Sequence, residues 1–232
     1  MTLLSSDDIQ AVLLSLKVAA TATVFGLPFA LAVAHLLARG RLRGNVVLDA
    51  MVHLPLVLPP VATGYALLVL LGHRGVLGHA LEGLGIVFAF RWTGAALAAG
   101  IMAFPLMVRP IRLAIEAVDR EVDEAARTLG AGAMARFVRV TVPLAAPGLA
   151  GGAVLGFAKA LGEFGATITF VAAIPGETLT LPTAIYQATQ SPGGESHAVA
   201  LCAVAAVIAV TAVLVAEGFN RGLIDRRHGS SR

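Results

Sequence analysis

Five long apolar stretches alternate with short polar or charged segments along the chain. A helix needs about 20 mostly apolar residues to cross roughly 30 Å of hydrocarbon, because each backbone polar group must find its partner inside the segment. All five stretches reach that length. The pattern predicts an all-α polytopic membrane protein with spans at about residues 11–38, 46–71, 92–115, 149–174 and 197–219.

Prolines interrupt the first two predicted spans, at Pro28 and at Pro55, Pro59 and Pro60. Proline removes a helical hydrogen bond, so kinks are expected there. Broken backbone is tolerated at membrane depth where it is buried in protein or lines a cavity. His53, beside these prolines, is therefore a candidate for lining a path through the helix bundle. A kinked helix that only packs against its neighbours would account for this segment equally well.

The composition supports a membrane protein without a separate soluble domain. Hydrophobic residues make up 57% of the 232 residues and charged residues only 13%, against about 25% charged in a soluble domain. The spans consume most of the chain, so we expect residues 1–232 to form a single transmembrane domain.

The basic residues are distributed unevenly between the two sides of the predicted bundle. Of the 17 lysines and arginines, only Arg74 and Arg91 fall in connections on one side, and Lys17 and Lys159 lie within spans. Connections on the cytoplasmic side of a membrane carry the excess of basic residues, which predicts the N-terminus outside and the C-terminus in the cytoplasm. The basic pI is then explained by the arginines that set the orientation in the membrane. It does not by itself indicate nucleic-acid binding, and no nucleic-acid partner is expected. The remaining arginines, on the predicted cytoplasmic side, are Arg39, Arg41, Arg43, Arg109, Arg112, Arg120, Arg127, Arg136, Arg139, Arg221, Arg226, Arg227 and Arg232.

The predicted cytoplasmic loop, about residues 116–143, carries the signals of a short helix. Asp119 can cap its start, acidic residues follow in the first turns, and Gly130 can end it. Four apolar residues share one face of this helix: Val122, Ala125, Ala126 and Leu129. A face with small residues at its centre suits docking in a groove of another protein, and it also suits a helix that rests on its own bundle.

The spacing within this loop is specific. Glu124, Ala125 and Ala126 are followed by three residues, Gly130, nine residues and then Val140-x-Val142-Pro143. This resembles the EAA motif of ABC-importer permeases, with valine in place of the motif's isoleucine and leucine. The resemblance implies a coupling helix that sits in a cleft of a cytoplasmic ATPase. It implies coupling roles for Glu124, Ala125, Ala126, Leu129, Gly130 and Pro143.

Other segments extend the resemblance over nearly the whole chain: HLPLVLPPVATGYALLV, FPLMVR, ALGEFGATITF and SPGGES. Together they are similar to molybdate ABC-importer permeases. That resemblance implies the type I (MetI-like) permease fold, location in a prokaryotic inner membrane, and a homodimer. It further implies two ATPase subunits and a periplasmic or extracellular molybdate-binding protein as partners. Sulfate and thiosulfate permeases have a similar GEFG element, so these anions and tungstate remain alternatives.

The sequence predicts a transport subunit rather than an enzyme. A nucleotide-binding P-loop needs G-x-x-x-x-G-K-[ST], and neither Lys17 nor Lys159 has that context. ATP and Mg²⁺ are therefore expected on a partner, and no cofactor on this chain. No histidine belongs to an H-E-x-x-H metal motif. A channel or an ion-coupled carrier is the remaining alternative from another class.

Ionisable residues within a span mark candidate functional sites. Lys159 and Glu163 are four residues apart, so they share a helix face. Lys159 either offers positive charge to a passing oxyanion or neutralises Glu163, and the second interpretation is favoured because a bare carboxylate repels anions. Thr167 and Thr169 either donate hydrogen bonds to the anion or bond to their own backbone. Near the cytoplasmic end of the second span, Asp49 is expected to pair with Arg41 or Arg43.

Overall fold

The computed structural model describes residues 5–39 and 44–229, and within these ranges the chain is helical with no β-strand. The all-α prediction is confirmed. The helices are α1 Ser6–Ala38, α2 Asn45–Val57, α3 Pro60–Leu71, α4 Val76–Glu82, α5 Trp92–Glu116, α6 Arg120–Thr128, α7 Ala133–Arg136, a π-helix Phe137–Thr141, α8 Val142–Leu144, α9 Ala146–Leu161, α10 Gly165–Val171, α11 Leu181–Gln190 and α12 Glu195–Gly229. Arg41, Arg43 and Arg232, which contributed to the predicted orientation, lie outside the described residues.

Three helices are long and apolar enough to cross a membrane unaided: α1, α5 and the first 18 residues of α12. Two bent helix pairs raise the number to five if each pair is one span. In the first, α2 and α3 meet at 109°, where Leu58 and Pro59 interrupt the helix. The kink predicted from the prolines is thus a full break, whereas α1 continues through Pro28.

The fourth predicted span, 149–174, is wrong as an unbroken stretch. Helix α9 ends at Leu161, and α10 begins only at Gly165. The residues between them include Gly162 and Glu163, and a Glu163 carboxylate oxygen accepts a hydrogen bond from the Ala166 backbone N–H at 3.0 Å. A side chain that accepts an N–H of the first turn stabilises the start of a new helix, and this favours two helices over one continuous helix. The second bent pair joins the segment Ala133–Leu144 to α9 at 69°.

The core lies where α1, α5 and α9 pack together, and small residues dominate it. The largest fully buried side chains of this core are Phe170 of α10 and Met102, Met107 and Ile111 of α5. Small side chains let helix backbones approach closely, which is how membrane helices gain packing energy without a hydrophobic driving force. The fully buried alanines of the three helices are Ala19, Ala30, Ala34, Ala95, Ala98, Ala99 and Ala103, together with the nearly buried Ala160.

A glycine stripe on α9 brings it against α5. Gly148, Gly152 and Gly156 recur every four residues, so they lie on one face. A Cβ atom at Gly152 would lie 2.8 Å from the Met107 carbonyl oxygen, and one at Gly148 would lie 2.2 Å from the Ala114 Cβ. The contact between the two helices therefore requires glycine on this face of α9.

Substituting Gly152→Ala is expected to lower the free energy of unfolding by about 1–3 kcal/mol, because the methyl group would overpack the α5 contact. Gly151→Ala is the matched control, since no atom lies within 4 Å of a Cβ there. That neighbouring change is expected to be neutral, or stabilising by up to about 1 kcal/mol through helix propensity. Thermal unfolding of the purified variants measures the difference, and equal stability of the two would contradict this packing.

The two ends of the bundle are different, and we name them by the short helices that lie there. At the α6 end are the last turns of α1 and α5. At the α11 end, Ser15 of α1 accepts a hydrogen bond from the Leu181 N–H at 2.7 Å. The His197 Nε2 atom of α12 lies 3.0 Å from both Asp8 carboxylate oxygens. These contacts fix the start of α1 to α11 and α12.

Candidate functional site

Helix α6 begins as the sequence predicts. The Asp119 side chain accepts a hydrogen bond from the Glu121 N–H at 2.9 Å, which caps the first turn. Glu121 and Asp123 lie in that turn, where the positive end of the helix dipole stabilises carboxylates. The short helix is therefore specified by local interactions before any partner contacts it.

Gly130 ends α6 in a left-handed conformation, with φ of +84°. The Gly130 N–H donates to the Arg127 carbonyl and the Ala131 N–H to the Ala126 carbonyl, each at 3.0 Å. This pair of bonds is the Schellman arrangement, which satisfies carbonyls at a helix C-terminus. No atom lies within 4 Å of a Cβ at Gly130, so its backbone angle, rather than crowding, explains the glycine of the motif.

The apolar face of α6 points away from the bundle. Val122 and Ala125 are exposed, and Leu129 is 87% exposed. Met134, in the next helix α7, is 73% exposed. Glu124 is exposed as well, and Ala126 is half-buried. Exposed apolar residues grouped on one short segment mark an interaction surface. We call Val122, Ala125, Leu129 and Met134 the α6 surface.

One arginine connects α6 to the segment that follows it. The Arg136 Nε atom lies 3.0 Å from the Asp123 Oδ1 atom, and Arg136 Nη1 donates to the Ala131 carbonyl at 3.0 Å. Behind α6 is a cavity of about 700 Å³ that also reaches the ends of α1 and α5. Pro143, the last motif residue, lies in α8, directly after the π-helix.

The buried ion pair predicted at Lys159 and Glu163 is present. Lys159 Nζ contacts the Glu163 Oε2 atom, and the other carboxylate oxygen, Oε1, accepts the Ala166 N–H. The Glu163 side chain is 1% exposed and that of Lys159 28%. Both carboxylate oxygens therefore have a partner at the break between α9 and α10, which supports the neutralising interpretation of this pair.

The hydroxyls of Thr167 and Thr169 bond to nearby backbone. Thr167 Oγ1 donates to the Phe164 carbonyl at 2.8 Å, and Thr169 Oγ1 donates to the Gly165 carbonyl at 2.9 Å. Thr167 is buried and Thr169 half-buried. Their hydroxyl protons are thus engaged within α10 and its first turn, as the backbone-bonding alternative requires.

His53 belongs to a different cluster, nearer the α6 end. Its Nδ1 atom lies 2.8 Å from the Asp49 carbonyl oxygen, and Arg112 Nη1 of α5 lies 3.0 Å from Asp49 Oδ1. Arg112 also pairs with Glu116 at 2.7 Å. Arg41 and Arg43, the partners expected for Asp49, lie outside the described residues. Packing of α2 against α5 places Arg112 beside Asp49. His53 thus belongs to this ion-pair cluster between α2 and α5.

Sequence reasoning did not identify Arg112 or Arg136 as contact residues. A spacing of four residues does indicate the contacts that form within one helix, namely Asp49 with His53 in α2 and Arg112 with Glu116 in α5. Nothing in that spacing joins the two helices, since Asp49 and Arg112 are separated by 63 positions. Arg136 and Asp123 lie 13 positions apart on different helices, so their contact depends on the turn between α6 and α7.

Comparison with known proteins agrees with this architecture. The Molybdenum transport system permease protein ModB of Escherichia coli (strain K12) is 54% identical over 220 residues, which cover 94% of this chain and 96% of that protein. A bacterial ABC transporter involved in the import of alginate aligns with a TM-score of 0.76 at 20% identity, over 94% of this chain and 80% of that one. The MetNI methionine ABC transporter aligns with a TM-score of 0.70 at 17% identity, over 93% of this chain and 95% of that one.

The two structural alignments show that the fold is that of an ABC-importer permease, as predicted. Residues 26–228 match the family described as binding-protein-dependent transport system inner membrane component. That range includes α6, the buried ion pair and nearly all of α12. The chain therefore belongs to the binding-protein-dependent transport system inner membrane component family.

Proposed function

We propose that this chain is the membrane-spanning permease subunit of an ATP-driven importer that moves molybdate into the cytoplasm. The observation that carries the proposal is α6, an exposed helix with defined ends that holds the Glu124 to Gly130 pattern. The sequence contains no P-loop, so the ATPase that drives transport would be a separate subunit. Helix α6 would receive the motion of that subunit. The 54% identity with a molybdenum transport permease supports molybdate as the transported anion.

In this account the α6 surface docks in a cleft of a separate ATPase, which binds ATP and Mg²⁺. Leu129 and Met134 supply exposed apolar area for that contact, and Ala125 and Ala126 let the partner's backbone come close. Glu124 presents a carboxylate at the edge of the same helix. Gly130 and Pro143 hold the ends of the segment, so that ATPase closure moves it as a unit.

The proposed assembly has two copies of this chain around one path, two ATPase subunits at the α6 end and a molybdate-binding protein at the α11 end. The arginine distribution supports a cytoplasmic location for the α6 end, and the proposal has the N-terminus outside and the C-terminus inside. Molybdate released from the binding protein then meets the path from the outside. ATP binding and hydrolysis alternate the path between its outward-facing and inward-facing states.

The buried polar residues receive different roles in this proposal. Lys159 and Glu163 hold the break between α9 and α10, because each carboxylate oxygen of Glu163 has a partner there. Thr167 and Thr169 stabilise α10 through its own carbonyls. His53 helps to hold α2 against α5 through the Asp49 and Arg112 cluster. In this proposal the break between α9 and α10 acts as a gate, and the contacts of Glu163, Thr167 and Thr169 hold its resting geometry.

The ATPase activity of the reconstituted complex tests this function. We expect the molybdate-loaded binding protein to stimulate hydrolysis by the complex, and the unloaded binding protein to stimulate it less. Equal stimulation by a sulfate-loaded binding protein would move the assignment to a sulfate-type permease. Hydrolysis that is insensitive to the permease would contradict coupling between the two subunits.

A further inference from the structure

The principal contacts of α6 are with α7 and the π-helix rather than with the long helices of the core. The cavity of about 700 Å³ separates it from the ends of α1 and α5, with His35, Ile115 and Glu116 on the bundle side and Asp123, Glu124 and Arg127 on the α6 side. Direct packing transmits displacement because protein interiors are dense. A cavity of this size interrupts that direct route. Motion of α6 therefore reaches the bundle along the chain, through the three residues that join it to α5 and through the segment from α7 to α9 that follows it.

Arg136 holds α6 to that segment at two points. Its guanidinium contacts Asp123 in the first turn of α6 and the Ala131 carbonyl just after the helix. The side chain is only 14% exposed, and the rigid fork of a guanidinium gives two such bonds a fixed geometry. One residue thereby constrains both ends of a nine-residue helix.

The residue after Arg136 continues the connection to the bundle. The Phe137 ring packs edge-on against the His35 ring near the end of α1, with centroids 4.5 Å apart. Phe137 also begins the π-helix, which leads through α8 into α9. A displacement of Arg136 is thus passed to α1 by ring packing and to α9 along the chain.

We propose that Arg136 is a positioning residue for energy coupling, which transmits the motion of α6 to α1 and α9 across the cavity by its contacts with Asp123 and Ala131. This inference rests on the proposed coupling function of α6. It assigns Arg136 no contact with the ATPase or with the transported anion. Loss of the residue should therefore leave ATPase docking intact and weaken only the transmission of its motion.

The experiment measures ATP hydrolysed per molybdate imported, in proteoliposomes with the complete transporter. Arg136→Met and Asp123→Ala are each expected to raise this ratio about fivefold or more, the lower range of coupling between two sites. The double variant is expected to be no worse than the more severe single variant, because both changes break one contact. Arg136→Lys keeps the charge but loses the fork, so an intermediate ratio is expected.

Arg139→Gln is the matched control, since it removes an exposed arginine from the same segment, and its ratio should equal that of the unmodified protein. Co-purification of the ATPase with Arg136→Met should also be unchanged. Additive effects of the two single variants, or loss of the ATPase from Arg136→Met, would overturn the proposal. If Arg136→Met does not accumulate in the membrane, Arg136→Lys provides the same test.

The Gly130→Val variant separates the two proposals. If the ratio of ATP hydrolysed to molybdate imported is normal in Arg136→Met but raised in Gly130→Val, only the proposed role of Arg136 is contradicted. A normal ratio in both variants contradicts the coupling function of α6 itself.

Discussion

Replacing Gly130 by valine is expected to reduce ATP-driven uptake about tenfold, a loss within the usual range of coupling energies, while ATP hydrolysis continues. Gly130 has a φ of +84°, a conformation that costs a residue with a side chain about 1–2 kcal/mol and a β-branched residue more. Valine should therefore unwind the end of α6 and misplace the α6 surface. Nothing lies within 4 Å of the added Cβ, so the membrane helices should remain folded.

Gly132→Val is the matched control for this prediction. Gly132 also has no atom within 4 Å of an added Cβ, but its φ of −63° suits any residue. Uptake by the control should stay close to normal. The Glu124→Lys variant changes the charge of α6 without changing its backbone and is also expected to uncouple hydrolysis from uptake. Normal transport by Gly130→Val and Glu124→Lys would contradict the assignment of α6 as the coupling helix.

Lys159→Met is expected to lower the free energy of unfolding by about 3 kcal/mol, because it leaves the buried Glu163 carboxylate without its cationic partner. Removing one member of a buried pair costs about 3–5 kcal/mol, and the partial exposure of Lys159 (28%) favours the lower end. Adding Glu163→Gln removes the stranded charge and keeps a side-chain oxygen for the Ala166 N–H. The double variant should regain more than half of the lost stability in a thermal unfolding assay.

Uptake by the same double variant distinguishes a structural pair from an anion-binding lysine. If the pair only holds the break between α9 and α10, uptake should recover along with stability. If stability recovers while uptake stays low, Lys159 provides positive charge to the path. If the double variant loses as much stability as Lys159→Met and Glu163→Gln lose together, the two residues are not a coupled pair.

The features that sequence alone predicts best are those specified by neighbouring residues. Helix α6 depends on a cap at Asp119, acidic residues in its first turn and a glycine at its end, so both its bounds follow from a few positions. The break between α2 and α3 follows likewise from Pro59 and Pro60, although its angle of 109° does not. The Lys159 and Glu163 pair follows from helical spacing.

Features that depend on a change of direction or on distant segments are not predicted. The fourth apolar stretch is continuous in hydropathy, yet α9 ends and α10 begins within it. The hydrogen bond from the Ala166 N–H to the Glu163 side chain stabilises the start of α10. A count of apolar residues cannot predict this bond. The contact of Asp49 with Arg112 requires the packing of α2 on α5. The cavity behind α6, which gives Arg136 its proposed importance, is a property of three-dimensional packing alone.

Uptake of labelled molybdate into proteoliposomes that contain this chain, its ATPase and its binding protein tests the central claim most directly. Uptake should require ATP and should persist in excess sulfate. Uptake abolished by sulfate would assign the chain to sulfate-type permeases, and uptake that proceeds equally without ATP would contradict an ATP-driven importer and favour an ion-coupled carrier.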